Sequence, residues 1–260
     1  MQVSVFSIVF MAISAIISIC LPIFLFIIFH KKYNAKFLPM IVGVVAFIVF
    51  ALILERIVHS IVYRNFSIRE KPLLFILYAP LMAGVFEETA RFISFKILRK
   101  KFTGISTGLS YGIGHGGTES ILLAGFSMMA GLVFSILINT GNIEIITGKL
   151  QGETLDQLII QLSTISTTPS YMFLLSGVER IFAIAIQISL SVMVFYSVFC
   201  RNKLWLFPLA IIIHAIIDIT PAAFQVGIIK NILLVYILLC FLSTITIILT
   251  IYLHKKLNEK

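Results

Sequence analysis

Charged side chains are scarce in this chain of 260 residues, of which 12% are charged and 60% hydrophobic. A soluble domain carries about 25% charged residues, because polar side chains must cover its core. The scarcity excludes an ordinary soluble enzyme and a disordered chain. It predicts an all-α, polytopic transmembrane bundle in contact with the lipid bilayer.

Cysteine is also scarce, since the chain has only Cys20, Cys200 and Cys240 and no CxxC pair. This excludes a disulfide scaffold and a thiolate zinc site. The net charge of +9 does not indicate nucleic-acid binding, because the basic residues form short clusters between apolar runs. Such clusters are typical of the flanks of membrane spans. We therefore expect no nucleic-acid partner.

Long apolar runs make up most of the sequence. Seven of them have spanning length, at about 4–29, 37–63, 73–98, 105–138, 172–200, 204–222 and 230–254. A helix needs about 20 residues to cross about 30 Å of hydrocarbon. The pattern predicts one transmembrane domain over residues 1–260, with about seven spans and one polar loop at about 139–170.

The basic residues predict the orientation of the spans. Twelve of them fall on one side if seven spans alternate: Lys31, Lys32, Lys36, Lys96, Arg99, Lys100, Lys101, Arg201, Lys203, Lys255, Lys256 and Lys260. The other side has five: Arg64, Arg69, Lys71, Lys149 and Lys230. The positive-inside rule then predicts an outer N-terminus and a cytoplasmic C-terminus.

Twelve ionisable side chains lie inside the predicted spans. They are Glu55, Arg56, His59, Glu87, Glu88, Arg91, His115, Glu119, Glu179, Arg180, His214 and Asp218. A charge near the bilayer centre costs at least about 2.5–3.5 kcal/mol. These side chains are therefore expected to pair, to bind an ion or to face a wet cavity.

Six of them form a predicted lower layer, about 15–21 Å from the cytoplasmic ends of their helices. They are Glu87, Glu88, His115, Glu119, His214 and Asp218. Two His–carboxylate pairs are spaced four residues apart, so the members of each pair share a helix face. Two imidazoles with carboxylates suit a zinc ion and its water, and a further glutamate suits a general base. An ion-paired structural core, with Arg91 neutralising one glutamate, is the alternative.

An upper layer, at about 27–31 Å, contains two acid–base dipeptides. They are Glu55-Arg56 in span two and Glu179-Arg180 in span five. We expect crossed structural pairs, Glu55 with Arg180 and Arg56 with Glu179, because pairing cancels charges that are costly in lipid.

Glycine recurs every four residues in span four, at Gly104, Gly108, Gly112 and Gly116. This stripe predicts that a neighbouring helix approaches span four closely.

These motifs together resemble a known family. They are Glu87-Glu88-Thr89-Ala90-Arg91, His115-Gly116-Gly117-Thr118-Glu119, Glu179-Arg180, and His214 with Asp218. The pattern, over spans two to six, resembles the YhfC family of bacterial intramembrane metalloproteases. That family is similar to the group that includes the type II CAAX prenyl endopeptidases and the bacteriocin-processing or immunity proteins. The resemblance implies a multi-pass protein of the bacterial cell membrane.

The resemblance also implies roles for the motif residues. Glu87 or Glu88 would activate water, with Glu87 the favoured base, and His115 would assist. His214 and Asp218 would stabilise the oxyanion or bind metal. Arg91, Glu119 and Gln187 would support the site, and zinc would take its ligands from His115, Glu119 and His214.

The chain departs from the resembled pattern at Gln187, where a histidine is expected. Glutamine is a poor zinc ligand. Either the metal site has fewer imidazoles, or Glu and His activate water without metal, or activity is lost.

The leading hypothesis is a peptidase that cleaves a membrane-associated peptide or protein within the bilayer. A proton- or cation-coupled transporter is the first rival, since intramembrane acids and histidines can relay ions. The sequence shows none of the internal repeats that transporters often carry. The second rival is a non-catalytic immunity protein or membrane chaperone, which Gln187 favours.

Overall fold

The computed structural model describes residues 1–68 and 70–258, and in these ranges the chain is helical without a strand. Seven of the described helices are long and apolar enough to cross a membrane: Val5–Tyr33, Phe37–Asn65, Pro72–Leu98, Ser106–Asn139, Ser170–Phe199, Leu206–Gln225 and Ile232–Leu257. The predicted all-α membrane bundle is therefore confirmed. Arg69 and Lys260, which entered the charge count, lie outside the described residues. The orientation of the termini stays a prediction.

The helices follow the chain in a simple order. They are α1 (Val5–Tyr33), α2 (Phe37–Ala46), α3 (Arg56–Asn65), α4 (Pro72–Leu98), α5 (Ser106–Glu119), α6 (Phe126–Asn139), α7 (Glu144–Thr147), α8 (Glu153–Thr167), α9 (Ser170–Phe199), α10 (Leu206–Gln225) and α11 (Ile232–Asn258). Two wider, π-helical segments complete the second and fourth spans. Phe47–Glu55 joins α2 to α3, and Ser120–Gly125 joins α5 to α6. Segments of this kind occur frequently at functional sites.

The chain forms two compact units. One contains Met1–Leu21 and Glu119–Ile181, and the other contains Pro22–Thr118 and Phe182–Lys260. We call them the small unit and the large unit. The single transmembrane domain over residues 1–260 stays a prediction.

Close helix packing in the large unit depends on the glycines of α5. A Cβ on Gly112 would lie 2.6 Å from Ile188 Cα, and one on Gly116 would lie 2.7 Å from Gln187 Cβ. Both contacts are with α9, so α9 approaches as closely as the glycine stripe predicts. Gly104 has more space, because a Cβ added there would have Ser106 Oγ, at 3.5 Å, as its nearest neighbour.

In the small unit, the segment predicted to be a polar loop contains α7 and α8. The apolar residues Leu158, Leu162 and Ile165 are buried on one face of α8, which packs against α6. Their spacing of four and three residues is helical. The predicted polar connection at about 139–170 therefore contains a helix with an apolar, buried face.

Candidate functional site

The proposed base, Glu87, lies in the middle of α4 and is buried. Its Oε2 accepts a hydrogen bond from His115 Nε2 at 2.8 Å and another from Gln187 Nε2 at 3.1 Å. His115 is on α5 and Gln187 on α9, so three helices of the large unit meet at one carboxylate oxygen.

The neighbouring carboxylate, Glu88, points to different partners. It accepts a hydrogen bond from the Arg91 guanidinium and one from His214 Nδ1, the latter at 2.6 Å. Glu88 and Arg91 are fully buried. Arg91 Nε also donates to Ser191 Oγ at 3.1 Å, and another guanidinium nitrogen donates to Gln187 Oε1. Glu88 is thus held by a fixed cation.

His214 connects the two glutamates to Asp218. Its Nε2 lies 3.9 Å from Glu87 Oε2 and 3.4 Å from Asp218 Oδ2, while its Nδ1 is bonded to Glu88. The Asp218 side chain is 35% exposed and that of His214 only 4%. The carboxylates and imidazoles of α4, α5 and α10 therefore form one cluster with a single half-open side, at Asp218.

Aromatic rings fix the orientation of His115. Phe47 meets the imidazole edge-on at a centroid distance of 5.1 Å, and Tyr111 stacks on it at 5.8 Å. Sequence reasoning missed both residues, as well as Ser191. Tyr111 precedes His115 by one helical turn and was open to inference, whereas the position of Phe47 depends on the packing of α2 against the rest of the large unit.

Glu119, expected as a metal ligand beside His115, has another partner. Its Oε1 accepts a hydrogen bond from Arg180 Nη1 at 3.0 Å, in the small unit. Arg180 also pairs with Glu179. This carboxylate is therefore engaged in an ion pair, and its role as a metal ligand stays a prediction.

Inside each unit, the upper-layer charges have partners that the sequence did not predict, and the crossed pairs between spans two and five stay a prediction. Glu55 pairs with His59 Nε2 at 3.1 Å, one turn further along the second span. Arg180 pairs with Glu119 and Glu179. The depth of each residue along its helix places these charges in the spans. It does not show whether a charge pairs with a residue one turn away on the same helix or with a residue on another helix.

A metal ion does not fit the cluster as it is arranged. Within residues 1–68 and 70–258, no group of three or more His, Cys, Asp or Glu side chains could hold one. The reason lies in the pairings, since Glu87 is bonded directly to His115 and Arg91 Nη2 lies 3.5 Å from the same carboxylate oxygen. Arg91 thus competes with a divalent metal ion for the carboxylates of Glu87 and Glu88.

The comparisons with known proteins agree with the motifs. The sequence model of the YhfC intramembrane metalloproteases matches residues 17–239. The chain belongs to the YhfC family. It is 36% identical over 250 residues to the uncharacterized membrane protein YhfC of Bacillus subtilis (strain 168), covering 95% of this chain and 96% of that protein. No solved structure matches the chain.

The matched region of this YhfC family member contains the whole cluster of the large unit, from Glu87 to Asp218. A multi-pass membrane protein follows from the family and from the seven apolar helices. The catalytic and metal-binding roles of individual residues stay predictions.

Proposed function

We propose that this YhfC protein is an intramembrane endopeptidase in which Glu87 activates the attacking water. The observation that carries the proposal is the meeting of two imidazoles at one buried carboxylate. His115 Nε2 lies 2.8 Å and His214 Nε2 lies 3.9 Å from Glu87 Oε2. A general base must be within hydrogen-bond reach of its proton and held in place, and His115 and Gln187 hold Glu87.

The proposed reaction begins with a water molecule between Glu87 and the scissile carbonyl carbon. Glu87 accepts one proton of the water as the oxygen attacks, and the carbonyl becomes an oxyanion. His214 donates to that oxyanion in this scheme, because its Nε2 lies 3.9 Å from Glu87 Oε2 and its ring is held by Glu88 on one side and Asp218 on the other. Glu87 then passes its proton to the amide nitrogen as the C–N bond breaks.

Glu88 and Arg91 position this machinery rather than react. The ion pair fixes Glu88, and Glu88 fixes the Nδ1 side of His214. Burial excludes bulk water, which strengthens each of these interactions. The substrate enters in this scheme from the bilayer, as a membrane-associated peptide or protein of the bacterial cell membrane. Zinc has no role in the scheme, since the donors do not fit it.

The test uses the complete protein in liposomes with membrane proteins extracted from a host that lacks it. New N-termini are counted by mass spectrometry for the wild type, for Glu87→Gln and for Glu153→Gln, an exposed glutamate of α8. We expect the same new termini with the wild type and Glu153→Gln and none with Glu87→Gln. Equal cleavage by Glu87→Gln would refute the proposal. A Glu87-dependent proton flux without cleavage would favour the transporter instead.

A further inference from the structure

The basic stretches of the sequence come together at one end of the large unit. The backbone N–H of Lys36 donates to Ser110 Oγ at 2.8 Å, which joins the start of α2 to the start of α5. The rings of Phe92 and Phe207 stack at a centroid distance of 4.5 Å, which joins the last two turns of α4 to the start of α10. The connections from α1 to α2, from α4 to α5 and from α9 to α10 therefore lie at the same end.

The end of α11 lies there as well. The hydroxyl of Tyr196, in the last turn of α9, is hydrogen-bonded to Nδ1 of His254, near the end of α11. Eleven Lys and Arg side chains thus gather at this end, in four short stretches at residues 31–36, 96–101, 201–203 and 255–256. The same stretches contain no Asp or Glu. We call the surface formed by these four stretches the basic end.

Aromatic rings, and not carboxylates, contact ammonium groups of the basic end. Lys96 Nζ lies 4.5 Å from the centre of the Phe92 ring, and Lys256 Nζ lies 5.4 Å from the centre of the Tyr252 ring. Among the residues that the structure describes, no acidic side chain forms a salt bridge with a cation of this end. A ring face takes up none of the hydrogen-bonding capacity of a carboxylate, so the N–H groups still have room for an anion.

Trp205 marks the level of this end relative to a membrane. It is the one tryptophan of the chain, it directly precedes α10, and it is 51% exposed. Tryptophan is enriched where the hydrocarbon of a bilayer meets the head groups. Arg201 and Lys203 lie four and two residues before it, so their charges belong at the level of the lipid head groups.

The chemistry of the basic end favours lipid over a soluble acidic partner. An acidic protein or a nucleic acid would need cations on a surface that projects into water. Here the cations follow directly on apolar spans, and Lys96 lies against a ring within its own helix. Phosphate oxygens at the membrane surface are the anions within reach, and both Arg and Lys bind phosphate through charge-assisted hydrogen bonds.

We propose that the basic end of the large unit binds anionic phospholipids in preference to zwitterionic ones. The cations of the α4–α5 and α9–α10 connections bind the head-group phosphates, and the Trp205 ring lies beside the lipid. Polybasic segments next to a membrane attract anionic lipid in this way. The proposal is independent of the peptidase scheme, because no residue of that scheme lies at this end.

The test uses the fluorescence of Trp205, which has no other tryptophan to obscure it. The complete protein is placed in nanodiscs of phosphatidylcholine with a minor fraction of phosphatidylglycerol. In one sample the phosphatidylglycerol carries brominated, quenching acyl chains, and in the other an equal amount of phosphatidylcholine carries them. We expect quenching of Trp205 to be at least about twofold stronger with brominated phosphatidylglycerol. The excess should fall as salt is added, because salt screens surface charge.

Two charge-matched double variants locate the binding. Arg201→Gln with Lys203→Gln should remove at least half of the excess quenching. Lys71→Gln with Lys230→Gln, which are exposed cations before α4 and before α11, should keep all of it.

Equal quenching by the two labelled lipids in the wild type would overturn the proposal. An excess that Arg201→Gln with Lys203→Gln leaves unchanged would also overturn it. If that variant does not fold, the wild type decides, since an excess that high salt leaves unchanged contradicts binding by surface charge. Equal quenching together with a Trp205 response to soluble polyglutamate would assign the basic end to an acidic protein instead.

Discussion

Gln187 bridges Arg91 and Glu87, because its Oε1 accepts a hydrogen bond from the guanidinium and its Nε2 donates to Glu87 Oε2 at 3.1 Å. An amide can donate and accept at the same time, whereas a carboxylate only accepts. From the sequence, Gln187 is a missing metal ligand. In the structure it is part of the support of the proposed base.

Replacing Gln187 by glutamate tests that support. The new carboxylate keeps a partner in Arg91 but removes the donor to Glu87 and places a like charge beside it. We expect the protein to fold and cleavage to fall at least tenfold, measured as the rate of new N-termini. Gln157→Glu, on the exposed face of α8, is the matched control. A wild-type rate for Gln187→Glu would contradict the bridge.

The two adjacent glutamates should respond differently to neutralisation. Glu88→Gln leaves the fully buried Arg91 without its main counter-charge, and breaking a buried pair costs about 3–5 kcal/mol. Glu87→Gln removes a carboxylate whose main partners are an imidazole and an amide, so it should fold normally and be inactive. Thermal midpoints in detergent measure the difference. Equal midpoints for the two variants would show that the structure has assigned their roles wrongly.

Much of this arrangement could be predicted from the sequence. The rest could not, and the reasons are physical. Apolar run length predicted the seven spans, and charges in lipid pointed to Glu87, Glu88 and His214, because the cost of exposing a charge to lipid does not depend on the fold. Pairing was less accessible, since Glu119 is 61 residues from Arg180 along the chain and only packing brings the two side chains together. The π-helical segment ending at Glu55 carries no sequence signal that we used.

The glycines of α5 give a prediction about packing alone. An alanine at Gly112 would bring its Cβ to 2.6 Å from Ile188 Cα, a backbone atom that cannot rotate away. Overpacking of this kind costs about 1–3 kcal/mol. We expect Gly112→Ala to lower the thermal midpoint and Gly104→Ala, which has space, to leave it unchanged. Two equally stable variants would mean that α9 is not held this closely.

Metal removal tests the fit of the cluster directly. Since Arg91 and His115 already occupy the glutamates, we expect a chelator to leave cleavage and the thermal midpoint unchanged. Elemental analysis of the purified protein should find no stoichiometric zinc. Zinc at one ion per chain that disappears in both His115→Ala and His214→Ala would show instead that these side chains rearrange to bind metal, as the family description implies.

The ion pairs of Arg180 make the last prediction. The Arg180 and Glu119 side chains are 10% and 15% exposed, and that of Glu179 is 32% exposed. Arg180→Gln leaves two carboxylates without their cation, so it should be the most damaging single change among these three residues, with a cost approaching about 3–5 kcal/mol. Glu119→Gln should be milder, because Arg180 keeps Glu179.

Adding Glu119→Gln to Arg180→Gln removes the more buried of the two stranded charges, so the double variant should be more stable than Arg180→Gln alone. A double-mutant cycle on thermal midpoints measures the coupling. If the double variant is no more stable than Arg180→Gln, Glu119 is not the partner that matters. If Arg56→Glu with Glu179→Arg restores the stability lost in each single variant, the crossed pairing expected from the sequence is correct after all.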